Sequence, residues 1–301
     1  MNQTRRVVAL GFFDGVHRGH GALLQAVTRA AQQLEAIPCA LTFDRHPGSV
    51  ITGHPVPLLS SVEDRIWLMR RHYSIQEVIV MPFVGMQHMD WEDFVEQYLV
   101  RELGVVHVVA GHDFHFGYMG RGNPNRLRAK CEQLGLGCDI IGKVEQDDIT
   151  ISSTYIRTLI AQGEMERATE FLGHPHILTD RVNHGKGIGS TALGFPTVNL
   201  HIRPPIIVPA HGVYVTRVWF DGEYRNAVTN VGVRPTITDN DGRVTVEGFL
   251  LDFDGDLYGR EVRMEFFRRL RPEQKFHSLQ ALAAEISHNV QQTRDYFLTH
   301  P

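Results

Sequence analysis

Two histidines, His17 and His20, sit inside the run Gly11-Phe12-Phe13-Asp14-Gly15-Val16-His17-Arg18-Gly19-His20. Imidazoles three residues apart can face the same bound group, and glycines let the backbone come close to it. The run follows apolar Val7-Val8-Ala9-Leu10 and precedes Leu23, Leu24, Val27, Ala31 and Leu34 on one side of a helical pattern. It therefore reads as strand, glycine-rich turn and helix start. Free N–H groups and the positive end of the helix dipole hold phosphate at such a place. The chemistry expected is phosphate binding with imidazoles as donors. Zinc is disfavoured, because no cysteine lies nearby and no third ligand is indicated. A turn of this kind also serves packing alone.

Further segments carry polar groups of the same kind. Thr42-Phe43-Asp44-Arg45-His46-Pro47 offers His46 as a phosphate contact or a structural residue. Gly111-His112-Asp113-Phe114-His115-Phe116-Gly117 offers Phe114 and Phe116 to flank a planar ring, or to anchor a tight loop. Asp113 can accept hydrogen bonds from a ring or a ribose. Ile151-Ser152-Ser153-Thr154-Tyr155-Ile156-Arg157 places hydroxyls at a helix start, with Arg157 one turn on as a phosphate ligand. In the C-terminal half, His184-Gly185-Lys186-Gly187-Ile188-Gly189 is a basic glycine-rich loop without P-loop spacing. Thr197 and Asn199 share one face if their segment is extended; two neutral oxygens there suit either a Mg²⁺ otherwise held by phosphates and water, or a polar strand face in solvent, which the residues alone favour. Glu247 lies in an alternating strand pattern, where a lone glutamate is usually solvated.

The elements that must position these residues differ between the two halves. Up to about residue 150, strand patterns at Arg6–Leu10, Cys39–Phe43, Glu77–Met81, Val105–Ala110 and Cys138–Ile141 alternate with amphipathic helices. Helices are expected to open at Ser61 (with Asp64 placed as in a capping box), at Asp90 (carrying Phe94, Tyr98 and Leu99) and at Asn123-Pro124. This is the pattern of a parallel sheet covered on both faces, which binds ligands at the C-terminal ends of its strands. Helical spacing between Thr154 and Leu172 reads as a connector. From about residue 180 short β-rich runs appear: Gly212–Phe220, Tyr224–Val231, Arg243–Phe253 and Arg260–Phe267, with Asp221-Gly222 and Asp254-Gly255 as turn chemistry. They predict an antiparallel sheet or small barrel, followed by one helix from near Leu279 to Tyr296.

Composition narrows the class. The 301 residues suffice for two domains, and the formal net charge of −4 gives no basic field for nucleic acid. No apolar run has the length of a spanning helix, and nothing at the N-terminus reads as a signal peptide. Cys39, Cys131 and Cys138 form no paired-spacing motif, so reduced thiols in a cytoplasmic protein are expected.

His17-x-Gly19-His20 resembles the H-x-G-H signature of the nucleotidyltransferase superfamily, in which two histidines stabilise charge on the phosphates of ATP. Taken with Gly111–Gly117, Ile151–Arg157, Gly194–Asn199, Gly212-Val213-Tyr214, Asn230–Thr236, Val246-Glu247, Asp256–Gly259 and the closing Arg271, Lys275 and Phe276, it makes the chain similar to a family over nearly its whole length. That family is the prokaryotic bifunctional riboflavin kinase/FMN adenylyltransferase, or FAD synthetase. The resemblance implies a Rossmann-like α/β nucleotidyltransferase domain over residues 1–180, connector helices included, and a small antiparallel β-barrel of riboflavin-kinase type over 181–301 with a terminal helix. It implies phosphorylation of riboflavin to FMN by the second domain and adenylylation of FMN to FAD, with release of pyrophosphate, by the first.

The resemblance also implies roles for residues. His17, His20 and Glu247 are catalytic, with Glu247 the base for the riboflavin hydroxyl. Gly11, Phe13, Asp14, Gly15, His46, Asp113, Phe114, Phe116, Ser152, Ser153 and Arg157 bind nucleotide or flavin in the first domain. Gly185, Lys186, Gly187, Gly189, Gly194, Pro196 and Arg234 do so in the second, and Thr197 and Asn199 carry Mg²⁺–ATP. The small-molecule partners are riboflavin, FMN, FAD, ATP, ADP and pyrophosphate. Nucleic acid and membrane are not among the partners, and a homo-oligomer is left open. Departures from the family pattern include Arg45 for Pro, Ser190 for Arg in a loop that Ala192 lengthens by one, Val198 for Ala, and Gly248, a smaller residue expected to loosen the base. The Ser190 loop motivates an alternative: an FMN adenylyltransferase whose C-terminal domain only binds flavin or regulates.

Overall fold

Five apolar runs pair into one parallel sheet: β1 (Arg6–Leu10), β2 (Ile37–Phe43), β3 (Glu77–Met81), β4 (Val105–Gly111) and β5 (Gly137–Ile141), in the order β3-β2-β1-β4-β5. These strands fall within two residues of the expected positions. The computed structural model describes residues 4–183, 197–233 and 244–300. The chain divides into two compact units, Met1–Val56 with Ser61–Ser153, and Pro57–Ser60 with Thr154–Pro301. Among the described residues no helix is long and apolar enough to cross a membrane.

In the first unit the helices are α1 (Arg18–Leu34), α2 (Pro47–Thr52), α3 (Val62–Tyr73), α4 (Phe83–Met86), α5 (Trp91–Asp93) and α6 (Pro124–Gln133). Ser61 caps α3: its Oγ accepts from the Asp64 N–H at 3.0 Å and donates to Asp64 Oδ2 at 2.9 Å. Asn123 caps α6 by accepting from the Arg126 N–H at 3.0 Å, with Pro124 at the first helical position. The helix expected from Asp90 is capped there, Asp90 accepting from the Glu92 N–H at 2.8 Å. It then widens into a π-helix over Phe94–Glu102, where the Leu103 N–H reaches the Tyr98 carbonyl five residues back. The wider turn buries Phe94, Val95 and Leu99 together, while Lys130 on α6 holds Glu92 at 2.8 Å and Glu96 at 2.9 Å.

β1 lies between β2 and β4, and the crossovers leave it in opposite directions, so the topological switch of the sheet falls between β1 and β4. Leu10 is level with Leu41 on β2 and Ala110 on β4. Gly11, just past β1, is therefore level with Thr42 and Gly111 at the ends of β2 and β4, and the three strands open at one edge. A two-stranded ribbon, β6 (Glu145–Gln146) with β7 (Ile149–Thr150), follows β5.

The second unit opens with α7 (Ser153–Gln162) and α8 (Met165–Leu172) and continues into six strands: β8 (His176–Arg181), β9 (Thr197–Leu200), β10 (Gly212–Phe220), β11 (Glu223–Val233), β12 (Val244–Leu250) and β13 (Glu261–Arg271). Their order is β8-β13-β10-β11-β12-β9. An antiparallel bridge between Asn183 and Asn199, with the Asn183 N–H donating to the Asn199 carbonyl at 2.9 Å, joins the two edges and closes a small barrel. β10 and β11 are joined by the two-residue turn Asp221-Gly222, both at positive φ, as that dipeptide predicts. Asp254-Gly255 instead lies inside the longer connection between Leu250 and Glu261, so it makes no two-residue hairpin. The final helix, α9 (Leu279–Thr299), is capped by Ser278, which accepts from the Ala281 N–H at 3.1 Å.

Candidate functional site

The turn after β1 holds the expected histidines in a strained backbone. Phe13, Gly15 and Val16 all have positive φ, at 57°, 75° and 42°. That region is open to Gly15 but costly for a β-branched valine, so packing must hold Val16 there: its side chain is fully buried, as is that of Phe13. His17 caps α1, its Nδ1 accepting from the His20 N–H at 3.3 Å. This fixes the neutral His17 tautomer with its proton on Nε2. The two rings stack with centroids 3.6 Å apart and 13° between planes. Phe13 meets the His20 ring edge-on at 5.2 Å. Burial first, then the charge coupling to His17 and to Arg65, holds His20 well below the ordinary imidazole pKa. Two neutral imidazoles result, able to donate N–H bonds without carrying charge.

Arg65 on α3 organises this edge. It is fully buried and donates from Nη1 to the Phe12 carbonyl at 2.7 Å and to Thr42 Oγ1 at 2.8 Å, and from Nη2 to the Phe43 carbonyl at 3.2 Å. Thr42 Oγ1 in turn donates to the Phe12 carbonyl at 2.7 Å. The guanidinium also lies over the Phe12 ring at 4.3 Å. Burial lowers it to about 10, with the nearby Asp14 carboxylate opposing, so it stays charged at neutral pH. Sequence reasoning missed Arg65. The available signal was an arginine three and four residues before Leu68 and Met69, on the buried side of an amphipathic helix.

A cavity of about 1040 Å³ opens at this edge, lined by Gly11, Phe13, His17 and His20 from the β1 turn. Asp113, Phe114 and Phe116 line it from the loop after β4, as do Ser152 and Ser153. Apolar side chains, among them Phe43, Phe83, Met86, Met89 and Met119, complete its wall. Asp14 and Gly15 are buried within the turn itself rather than lining the cavity. Ser153 Oγ donates to the Asp14 carbonyl at 3.0 Å. His46 does not line the cavity but packs edge-on against Phe12 at 4.8 Å. Phe116 belongs to the apolar core and stacks on Phe114 at 5.5 Å, so it anchors the loop while Phe114 stays partly open. Asp113 is largely exposed, at 81% of its side chain. Arg157 lies on α7 among the residues grouped with the second unit.

In the second unit the register assembles a different polar set. Glu247 on β12 is directly opposite Asn199 on β9, and Phe249 is opposite Thr197. Directly opposed residues, and residues two apart on a strand, share a face, so Thr197, Asn199 and Glu247 share one. It is the outer face: Val198, Leu200, Val246, Gly248 and Leu250 alternate with them and are buried inside the barrel. Asn199 is itself 2% exposed, while Glu247 is half-buried. A Cβ on Gly248 would lie 2.6 Å from Met264 Cε and 2.9 Å from Val198 Cγ2, so the barrel interior is packed closely around this glycine. Gly185, Lys186, Gly187, Gly189, Gly194, Pro196 and Arg234, with Ser190 and Ala192, lie outside the described residues.

Comparison with known proteins follows the same two-part division. The family model for FAD synthetase matches residues 1–155, and that for riboflavin kinase matches 172–297. A bifunctional riboflavin kinase/FMN adenylyltransferase of Bacillus subtilis is 33% identical over 98% of this chain and 93% of its own length. One of the same name from Listeria monocytogenes is 35% identical over 97% of this chain and 92% of its own. A crystal structure described as a macrolide-efflux protein from Streptococcus pneumoniae shares the fold with a TM-score of 0.83, at 28% identity, over 98% of this chain and 95% of that one. A parallel-sheet cavity with stacked histidines and a barrel face with paired Asn199 and Glu247, joined in one chain and matched at both ends by these relatives, make it a member of the bifunctional riboflavin kinase/FMN adenylyltransferase family.

Proposed function

We infer that the chain makes FAD from riboflavin in two ATP-dependent steps, and we assign adenylyl transfer to residues 1–180 and the kinase step to 181–301. The observation that carries this reading is the presence of two separate polar sites of different construction, one in each unit. In the kinase step, Glu247 accepts the proton of the terminal ribityl hydroxyl. That oxygen bonds to the γ-phosphorus of ATP, the bond from this phosphorus to the bridging oxygen breaks, and ADP leaves. In the second step an oxygen of the FMN phosphate bonds to the α-phosphorus of a second ATP, and pyrophosphate leaves.

His17 and His20 act in that second step as neutral N–H donors to phosphate oxygens at the N-terminus of α1, where the helix dipole adds to them. Gly11, Asp14 and Gly15 shape the turn, and Ser152 and Ser153, which line the same cavity, serve as further phosphate or ribose contacts. The apolar wall that includes Phe114 suits a flat ring system, with Asp113 at its rim. In the kinase domain the basic glycine loop with Gly185, Lys186, Gly187 and Gly189, together with Gly194, Pro196 and Arg234, would hold nucleotide and flavin.

The donor set on the barrel face fits Mg²⁺. Thr197 and Asn199 supply neutral hard oxygens beside a carboxylate, and among the described residues no group of three His, Cys, Asp or Glu is built for another metal. Bound there, Mg²⁺ would offset the negative charge of the transferring phosphate. We place the enzyme in the cytoplasm, consistent with three unpaired cysteines.

The test is incubation of the purified protein with riboflavin, ATP and Mg²⁺, followed by chromatography of the flavins. FMN and FAD should both form. FAD formed from added FMN, with none from riboflavin, would instead leave the C-terminal domain as a flavin-binding or regulatory module. No product from either flavin would overturn both readings.

A further inference from the structure

Glu247 has a second register partner. On the side away from Asn199 it is directly opposite Asn230 of β11, so Asn199, Glu247 and Asn230 form one cross-strand row on the outer face of the barrel. Directly opposed residues lie ~4.5–5.5 Å apart between Cα atoms. Asn230 is an unusual choice for its place. β11 runs for 11 residues between β10 and β12, and asparagine is depleted in strands. Its backbone groups face ladders on both sides, so only the side chain is left to interact. That side chain is half-buried, and among the described residues its amide has no hydrogen-bond partner. A half-buried amide with no partner among the described residues is free to take a ligand's hydroxyl, whereas valine would suit both the strand and the neighbouring Val228 and Phe249, which share its face.

We propose that Asn230 is a substrate contact of the kinase site, its side-chain amide binding an inner hydroxyl of the ribityl chain while Glu247 addresses the terminal one. This rests on the reading that the second domain phosphorylates riboflavin. A polyol presents several hydroxyls along one chain, and a row of polar side chains one strand spacing apart is matched to such a chain. An amide both donates and accepts, so it serves a hydroxyl in either sense. Being neutral, it neither competes with Glu247 for the proton nor repels phosphate. Its role is selection: a flavin ring without the polyol gains nothing from it.

The experiment compares full-length wild type with Asn230→Val and Asn230→Ser in riboflavin phosphorylation. Lumiflavin, which has the same ring system with a methyl group in place of the ribityl chain, serves as a competitive inhibitor of that reaction. The KM for riboflavin should rise ~10-fold in Asn230→Val, the inhibition constant of lumiflavin should stay within about twofold of wild type, and Asn230→Ser should recover part of the loss. An unchanged KM, or an equal weakening of riboflavin and lumiflavin in both variants, overturns the proposal, the latter showing a structural role. Adenylylation of added FMN on the same preparations reports that the chain is folded. Failure of the wild type to phosphorylate riboflavin would count against the assigned function instead, and is read in the same assay.

Discussion

Arg65 donates to the carbonyl of Phe12 at 2.7 Å from inside the first unit, with no exposure to solvent. The same guanidinium holds Thr42 and the Phe43 carbonyl, so one side chain gathers the chain segments that leave β1 and β2. The turn that carries His17 and His20 begins at the residues it holds. Arg65→Met should therefore slow FMN adenylylation at least ~10-fold and destabilise the protein by about 1–3 kcal/mol, because buried acceptors lose their donor. Riboflavin phosphorylation should be retained. Thermal unfolding and separate assays of the two reactions check this, and equal loss of both activities in folded protein would contradict the positioning role.

His20→Ala should lower the rate of FAD formation by ~10²–10³, as removal of a transition-state donor does, while FMN accumulates. Because burial above all, with the Arg65 charge beside it, keeps His20 neutral well below the usual imidazole range, the wild-type adenylylation rate should stay level as pH falls from 8 through 6.5. A pH–rate profile for added FMN is the measurement. An inflection near 6.5 that vanishes in the variant would show that His20 works as a cation.

Glu247→Gln keeps the shape of the side chain and removes its basicity. FMN formation should fall by ~10²–10⁴, the usual contribution of a general base, with adenylylation of added FMN intact. Chromatography of the flavins after each reaction separates the two. A kinase rate within a few-fold of wild type would remove Glu247 from the base role.

Gly248→Ala should cost about 1–3 kcal/mol through overpacking, since its methyl would meet Met264 Cε and Val198 Cγ2 inside the barrel. Shortening the obstacle in Gly248→Ala/Met264→Ala should leave less clash than the sum of the two single changes implies. A double-mutant cycle of unfolding midpoints reads this. Strict additivity would mean that the two residues do not meet.

His176, 2% exposed beside Phe266, is pushed down to about 4, chiefly by burial. Its folded pKa lies below its unfolded value, so the unfolded chain binds the proton more readily. Stability should be unaffected above pH 6.5 and fall between pH 6.5 and 4, by roughly 3 kcal/mol at the lower end. His176→Gln, which does not titrate there, should flatten that dependence in thermal unfolding at pH 7 and pH 5. An equal fall in the variant would assign the acid sensitivity elsewhere.

Local signals were read directly from the chain. The ends of β1, the caps at Ser61, Asp90 and Asn123, and the Asp221-Gly222 turn depend on neighbours within a few residues, so short-range chemistry settles them. The π-helical stretch at Phe94–Glu102 was not legible, because an α-helical pattern and a π-helical one bury nearly the same residues, and Lys130, which grips Glu92 and Glu96, comes from a later helix. β8 was missed too, since its partners on β13 lie 80 to 90 residues away.

For the sites the division is sharper. The sequence by itself determined the turn after β1: Gly11 to His20 carries its glycines, histidines and helix start within ten residues, and the family pattern follows from motifs in order. Only the tertiary structure decided that Arg65 underlies that turn, that Gly248 faces Met264 and Val198 inside the barrel, and that Glu247 stands between Asn199 and Asn230. Each of these is set by strand register or by packing across elements. Register and packing minimise the energy of the whole sheet at once, and no window of the sequence contains that sum.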